Sequence, residues 1–406
     1  MATKTYTGGG TAVAQVDHAT PANVEIGDVF TMTLTDHNGN EKSLSFTATA
    51  ATVQNVVEGL QTLADAETVA PWSQVTVTED DTKLIVTAVT AGIPFTLTCT
   101  ESDGGGTDDQ TFTRSSSTAV AGPSIFDDGD NWGGSVPAAG DDIVIPSDLS
   151  VGIYGGDYTS TAYATLRIEE GYEGDIGADG RPLHIDLNGA AYTGTAELAG
   201  TGEQWIYLDD CNLCTVVESG SADAAGEAAM NISGIDIDKL HILQSSQGSV
   251  SVAGYGGSVS EVSEIQIAGG ALMIADDVVQ IDGSSDITTL TVTGGSVDCR
   301  SDVATLTMHG GSVEYRAENA TTVKCWSGRL YWLTDAAITS LYVGGGTMDA
   351  SRSFEGFTVT NAYVYRQGTV LDPYERVTWS NGLALTGCAL ADVTLQLGTD
   401  VTITPS

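Results

Sequence analysis

Positive charge is scarce in this chain. Its 406 residues carry 14 Lys+Arg against 54 Asp+Glu, a formal net charge of −40. A surface this acidic repels phosphate backbones and anionic bilayers, so neither nucleic acid nor a membrane is expected as a partner. Proline is scarce too, with nine residues. No apolar run approaches the ~20 residues that span a bilayer. The opening stretch Met1–Gly10 (MATKTYTGGG) has no basic segment followed by an apolar one, so no secretory signal is visible and synthesis in a cytoplasm is expected. The six cysteines, Cys99, Cys211, Cys214, Cys299, Cys325 and Cys388, are too few for a disulfide scaffold in a chain of this length, and buried reduced thiols are expected.

Glycine, by contrast, is abundant: 49 residues, with Thr, Val, Ile and Leu recurring throughout and 41% of the chain hydrophobic. That apolar content argues against intrinsic disorder. Rich in Gly and Thr and poor in Pro, the chain is expected to form many strands joined by tight turns. The acidic excess fits a repetitively displayed protein that must stay soluble, and equally a salt-rich environment.

Two regions follow. Residues 1–121 read as a small α+β domain, with a linker from about residue 101. Val29–Thr35 and Ser43–Thr49 alternate apolar and polar residues around Asp36-His37-Asn38-Gly39-Asn40, a hairpin signal. Val53, Val56, Val57, Leu60 and Leu63 fall at helical spacing after Thr52. Three strands are expected at 74–78, 83–88 and 94–100, which gives one helix on an antiparallel sheet. The Gly/Asp/Ser/Thr-rich stretch 101–122 reads as a linker or arm with one strand at 110–114.

Residues 122–406 open on FDDGDNWGGSVPAAGDDIVIP at 126–146 and then become quasi-repetitive. Trp132, Pro137, Gly140, Asp141 and Asp142 are the expected cap of this region. Beyond it, units such as TLTVTGGSV and TLTMHGGSV recur with pivot glycines at Gly270, Gly295, Gly311, Gly328, Gly346 and Gly368. A period near twenty is too short for helix-pair repeats or propeller blades and matches one coil of a β-solenoid. One such unit can bury neither its apolar face nor its backbone groups; stacked in parallel, successive units do both. The corners need a tight bend or positive φ, which Gly supplies. At roughly 20 residues per coil, residues 140–405 give about 13 coils and a rod of about 60 Å. Parallel crossovers are usually right-handed, so a right-handed parallel β-helix is expected.

Residues 24–100 (VEIGDVFTMTL…KSLSFTATAATVQNVVEGL…TAGIPFTLT) resemble a small domain common in tailed-phage virion proteins. The stretch NWGGSVPAAGDDIVIP and the TLTVTGGSV units resemble the β-helical region joined to it in phage and prophage structural proteins. The resemblance implies a protein on the outside of the particle, as head decoration, fibre or spike, commonly trimeric. The expectation is therefore a non-enzymatic virion-surface protein that binds capsid or another virion protein and forms a homo-oligomer, with a trimer favoured. A capsid decoration is preferred to a tail fibre because the chain lacks long extended repeats. The alternatives are a tail spike or fibre that binds or depolymerises polysaccharide, and a cell-surface adhesin.

Catalytic, cofactor-binding and metal-binding residues are not expected. Asp141-Asp142 and Asp209-Asp210 are adjacent, and neighbours on a strand point to opposite faces, which is poor geometry for a paired-carboxylate site. Cys211-Asn212-Leu213-Cys214 is half a zinc site with no second half. His18, His37, His184, His241 and His309 are isolated. Asp127-Asp128-Gly129-Asp130-Asn131 lacks the order of a calcium loop and reads as an acidic turn, with calcium as the alternative. The aromatics Tyr315, Trp326, Tyr331, Trp332, Tyr342, Tyr363, Tyr365, Tyr374 and Trp379 thicken toward the C-terminus. They read as core, or as a subunit- or carbohydrate-contacting face.

Overall fold

The structure is a computed structural model and describes residues 2–222, 226–243, 248–279, 287–398 and 401–405. Met1 and Ser406, the outer limits of the two expected regions, lie outside them. The first strand, β1 (Thr3–Thr5), does not belong to the small domain. It pairs in parallel with β9 (Asp142–Ile145), placing Lys4 beside Ile143. The small domain is thus inserted between the first two strands of the solenoid. Both chain crossings are tied to each other where Val13 bridges Ala121.

Within the insertion the strands are β2 (Val16–Ala22), β3 (Val29–Thr35), β4 (Glu41–Thr47), β5 (Val75–Glu79), β6 (Leu84–Ala88), β7 (Thr96–Ser102) and β8 (Thr111–Thr118). They form two antiparallel sheets, β5-β6-β2-β8 and β4-β3-β7, where the sequence suggests one. The helix α1 spans Val53–Asp65 and starts where Thr52 accepts a hydrogen bond from the Asn55 amide. It buries Val56, Val57, Leu60 and Ala64 in the core shared with Phe30, Met32 and Leu84. The expected linker is partly sheet: β8 is an edge strand along the whole of β2. The strand expected at 110–114 runs further than the sequence suggests, over Thr111–Thr118, because its second half, Ser115–Thr118, carries no apolar residue to mark it. β2 has no clear strand signature in the sequence because Asp17 and Pro21 interrupt its apolar alternation. Asp17 is fully buried and held by Arg114, whose Nε donates to Oδ2 at 2.8 Å.

From residue 142 on, the chain is a parallel β-solenoid of about 11 turns. Inward side chains stack in register: Ile143 on Leu166, Leu166 on Ala196, Ala196 on Cys214, Cys214 on Leu240, and onward through Ile265, Leu290, Leu306 and Val323. Each inward Leu, Ile or Val contributes about 1.5–3 kcal/mol of burial, and the pairing above and below satisfies its backbone. The turns are fewer than thirteen because several coils are longer than twenty residues, and the lengths are unequal. The coil from Leu166 to Ala196 takes 30 residues, and that from Leu290 to Leu306 takes 16. At ~4.8 Å per turn the rod is about 53 Å long.

Candidate functional site

Three features of the solenoid bear on function: its closed end, its corners and one outer face. At the closed end, Trp132 terminates the short helix Gly129–Trp132 and is 4% exposed. Its ring meets Tyr6 edge-on at 4.9 Å and Phe126 at 5.2 Å. Tyr6 and Phe126 complete a plug over the first coil. Nothing in the sequence marks Tyr6, because a lone tyrosine among Thr and Gly carries no periodic signal. Asn131 locks the plug. Its Oδ1 accepts from the Gly10 amide at 2.7 Å, and its Nδ2 donates to the carbonyls of Gly122 and Ile125 at 2.8 Å and to the Tyr6 hydroxyl at 3.1 Å.

Pro137 and Gly140 are buried, and Gly140 has φ +78 with the Tyr192 ring against it. Asp141 accepts hydrogen bonds from the amides of Ala138 (3.0 Å) and Ala2 (2.9 Å). Those bonds hold its carboxyl below the ordinary range. Asp142 points elsewhere and accepts from the Thr165 hydroxyl at 2.9 Å. The two acids of this pair therefore serve different contacts. In the neighbouring acidic turn, Asp128 accepts from the amides of Gly122 and Asp130, so its oxygens serve the backbone.

The corner glycines divide into two kinds. Gly270, Gly295, Gly311 and Gly328 have φ between +69 and +82. They stack, and a Cβ on Gly295 would lie 2.6 Å from the Gly270 carbonyl oxygen, one on Gly311 2.5 Å from that of Gly295. Gly346 and Gly368 do not adopt positive φ. They are glycine because of crowding: a Cβ would lie 2.5 Å from the Cys325 sulfur or from the Val343 carbonyl oxygen, respectively. Elsewhere Asp210 (φ 52) and Asp236 (φ 58) take the left-handed corner on consecutive coils. Asp and Asn tolerate this conformation better than other side chains. Burial, with Asp210 and Asp209 nearby, pushes the Asp236 carboxyl up.

The cysteines line the core as small apolar residues. Burial pushes the Cys211, Cys299 and Cys325 thiols up to about 12, and Cys214 well above its ordinary value. All six are free, and among the described residues no group of three or more His, Cys, Asp and Glu converges as metal ligands. His184 is not isolated: its Nε2 lies 2.9 Å from Asp209 Oδ2, and its ring packs at 4.2 Å on Tyr207. The parallel register, which sets His184 beside Tyr207 and Asp186 beside Asp209, is what brings them together.

The late aromatics separate by environment. Tyr315 and Trp332 are fully buried and stack at 4.5 Å in the core. Tyr331 lies outside, with the guanidiniums of Arg329 and Arg352 each 4.8 Å from its ring. Tyr374 is exposed. Trp379 is half-buried against the core, and the other four form a surface strip. Tyr342 and Tyr363 stack at 5.0 Å on adjacent coils, with Lys324 continuing their row, and Trp326 meets Tyr365 at 5.3 Å at the next corner. Trp326 packs directly on Gly344, which has no side chain; a Cβ there would stand 2.7 Å from the indole. This arrangement offers an amphipathic contact surface of aromatic rings and hydroxyls. No helix is long and apolar enough to cross a membrane among the described residues. No protein-family model, no curated protein and no solved structure matches the chain.

Proposed function

We propose that this chain is a non-enzymatic structural protein of a phage virion, carried on the particle surface as a capsid decoration and assembled as a homotrimer. One observation carries the reading: the small domain is inserted at the closed end of a stacked rod, with both chain crossings tied together at Val13–Ala121. A rod fixed to a base in this way suits display at a distance from an attachment surface. The net charge of −40 keeps such densely displayed copies apart. Repeated weak contacts of a trimer with a particle lattice then gain strength by avidity.

The test is immunogold labelling of purified particles together with sedimentation of the isolated protein. Gold over the heads and a trimer in solution support the proposal. Gold confined to tails overturns the decoration assignment, and unlabelled particles overturn the virion assignment. A second reading, a tail spike or fibre contacting polysaccharide, is favoured by the strip of Trp326, Tyr342, Tyr363 and Tyr365. It predicts that host polysaccharide quenches the fluorescence of Trp326 and that Trp326→Ala abolishes binding.

A further inference from the structure

Arginine is nearly always neutralised in this protein. Among the described residues every arginine except Arg181 and Arg376 has a carboxylate within 4.0 Å. Arg181 differs from Arg376 in its setting. It closes the turn Ala178–Arg181, whose ends exchange backbone hydrogen bonds of 3.0 and 2.9 Å. Three contacts fix that turn. The Gly39 turn between β3 and β4 packs directly on Gly180. The Tyr255 hydroxyl donates to the Gly180 carbonyl at 2.9 Å. Gly155 presses its bare backbone on the Arg181 carbonyl.

The backbone is thus immobilised where the small domain meets the solenoid, and the side chain lines the cleft between them. The cleft has two lobes of about 320 and 400 Å³ that share Gly156, Asp157 and Arg181. Tyr158 lines one lobe, and His184 and Tyr255 line the other. Arg181 Nη1 is buried and has no hydrogen-bond partner among the described residues. A guanidinium N–H withdrawn from water without an acceptor costs stability. The group that best satisfies its planar fork is a carboxylate or phosphate.

We propose that this cleft binds a small ligand through a carboxylate held by Arg181. The site lies at a domain junction, where Arg114 is already paired with Asp17 and Arg181 is the arginine with no carboxylate partner among the described residues, and has the volume of a pocket for a molecule of mono- or disaccharide size. A monoanion is preferred to a dianion. Asp157 lines both lobes and Asp127 one of them, in a chain of net charge −40, so each added negative charge meets repulsion. The carboxylate can belong to a sugar acid or to a peptide end. The site is independent of the virion assignment.

Isothermal titration of the full chain at low salt with glucuronate, N-acetylalanine, glucose and inorganic phosphate tests this. One or both carboxylates should saturate a single site; glucuronate alone identifies a sugar acid, and N-acetylalanine alone a peptide end. Glucose should give no heat, and phosphate should bind more weakly. Arg181→Gln should weaken the carboxylate at least about tenfold, while Arg366→Gln, an exposed arginine remote from the cleft, should leave it unchanged. Fluorotyrosine-labelled wild-type protein gives a readout that does not depend on the variant folding: the carboxylate should shift the Tyr158 and Tyr255 resonances. No saturable carboxylate binding, binding that survives Arg181→Gln, or phosphate binding as tight as glucuronate overturns the proposal.

Discussion

Replacing Gly311 by alanine separates the two reasons a solenoid corner needs glycine. Gly311 has φ +69, and its added Cβ would lie 2.5 Å from the Gly295 carbonyl oxygen and 2.9 Å from the Gly294 carbonyl carbon. The left-handed conformation costs an L-residue about 1–2 kcal/mol. Forcing a methyl into backbone that is hydrogen-bonded above and below adds about 1–3 kcal/mol. The expected loss is therefore roughly 2–5 kcal/mol. Two other glycines isolate the contributions. Gly133 has φ +71 with nothing within 4 Å, so Gly133→Ala should cost only the conformational part, about 1–2 kcal/mol. Gly346 lacks positive φ but would meet the Cys325 sulfur at 2.5 Å, so Gly346→Ala should cost only the steric part, about 1–3 kcal/mol. Urea unfolding followed by circular dichroism measures all three. The reasoning is refuted if Gly311→Ala loses no more stability than Gly133→Ala, because the stacked carbonyls would then not be felt.

Three further outcomes are expected. Asn131→Ala strips partners from Gly10, Gly122, Ile125 and Tyr6 at once, and should destabilise the solenoid by about 3 kcal/mol; a loss under about 1 kcal/mol in the same urea assay would show that the plug does not depend on it. Arg114→Leu leaves Asp17, fully buried and with Oδ1 already unpartnered, without its counter-charge, and should cost the small domain about 3–5 kcal/mol, most of it recovered in Asp17→Leu/Arg114→Leu; an equally unstable double variant contradicts this. Stability should peak in mild acid. Burial raises the Asp186, Asp236 and Asp372 carboxyls, so their charged-state penalty is relieved as pH falls from 7 through their folded values. Asp141, held low by backbone amides, and Asp157, held low by Thr159, contribute stability that is lost only as pH falls further, through their folded values. A melting temperature that declines steadily from pH 7 downward refutes that order.

Much of the architecture is readable from local pattern. The alternation around Asn38-Gly39 announces the hairpin, and the spacing of Val53, Val56, Val57 and Leu60 announces the helix, since each is a property of a few neighbouring residues. The corners at Gly270, Gly295, Gly311 and Gly328 are equally local, because a left-handed bend selects glycine wherever it falls. Long-range choices are not readable in this way. Nothing in Thr3-Lys4-Thr5 says that it will lie beside Ile143, with the small domain inserted between them. Nothing in His184 names Asp209, because coil lengths that vary from 16 to 30 residues hide the register.

The sequence by itself determined that a solenoid of stacked parallel strands would form, where its coils would bend and that its surface would be strongly acidic. Apolar alternation, glycine and charge act residue by residue. Only the tertiary structure decided which side chains share an environment: Tyr6 with Trp132, Trp326 over Gly344, and Arg181 in the cleft where the inserted domain meets the rod. Those pairings depend on the register of each coil and on the docking of the two parts. Both are settled by packing over the whole molecule rather than by the preference of any one segment.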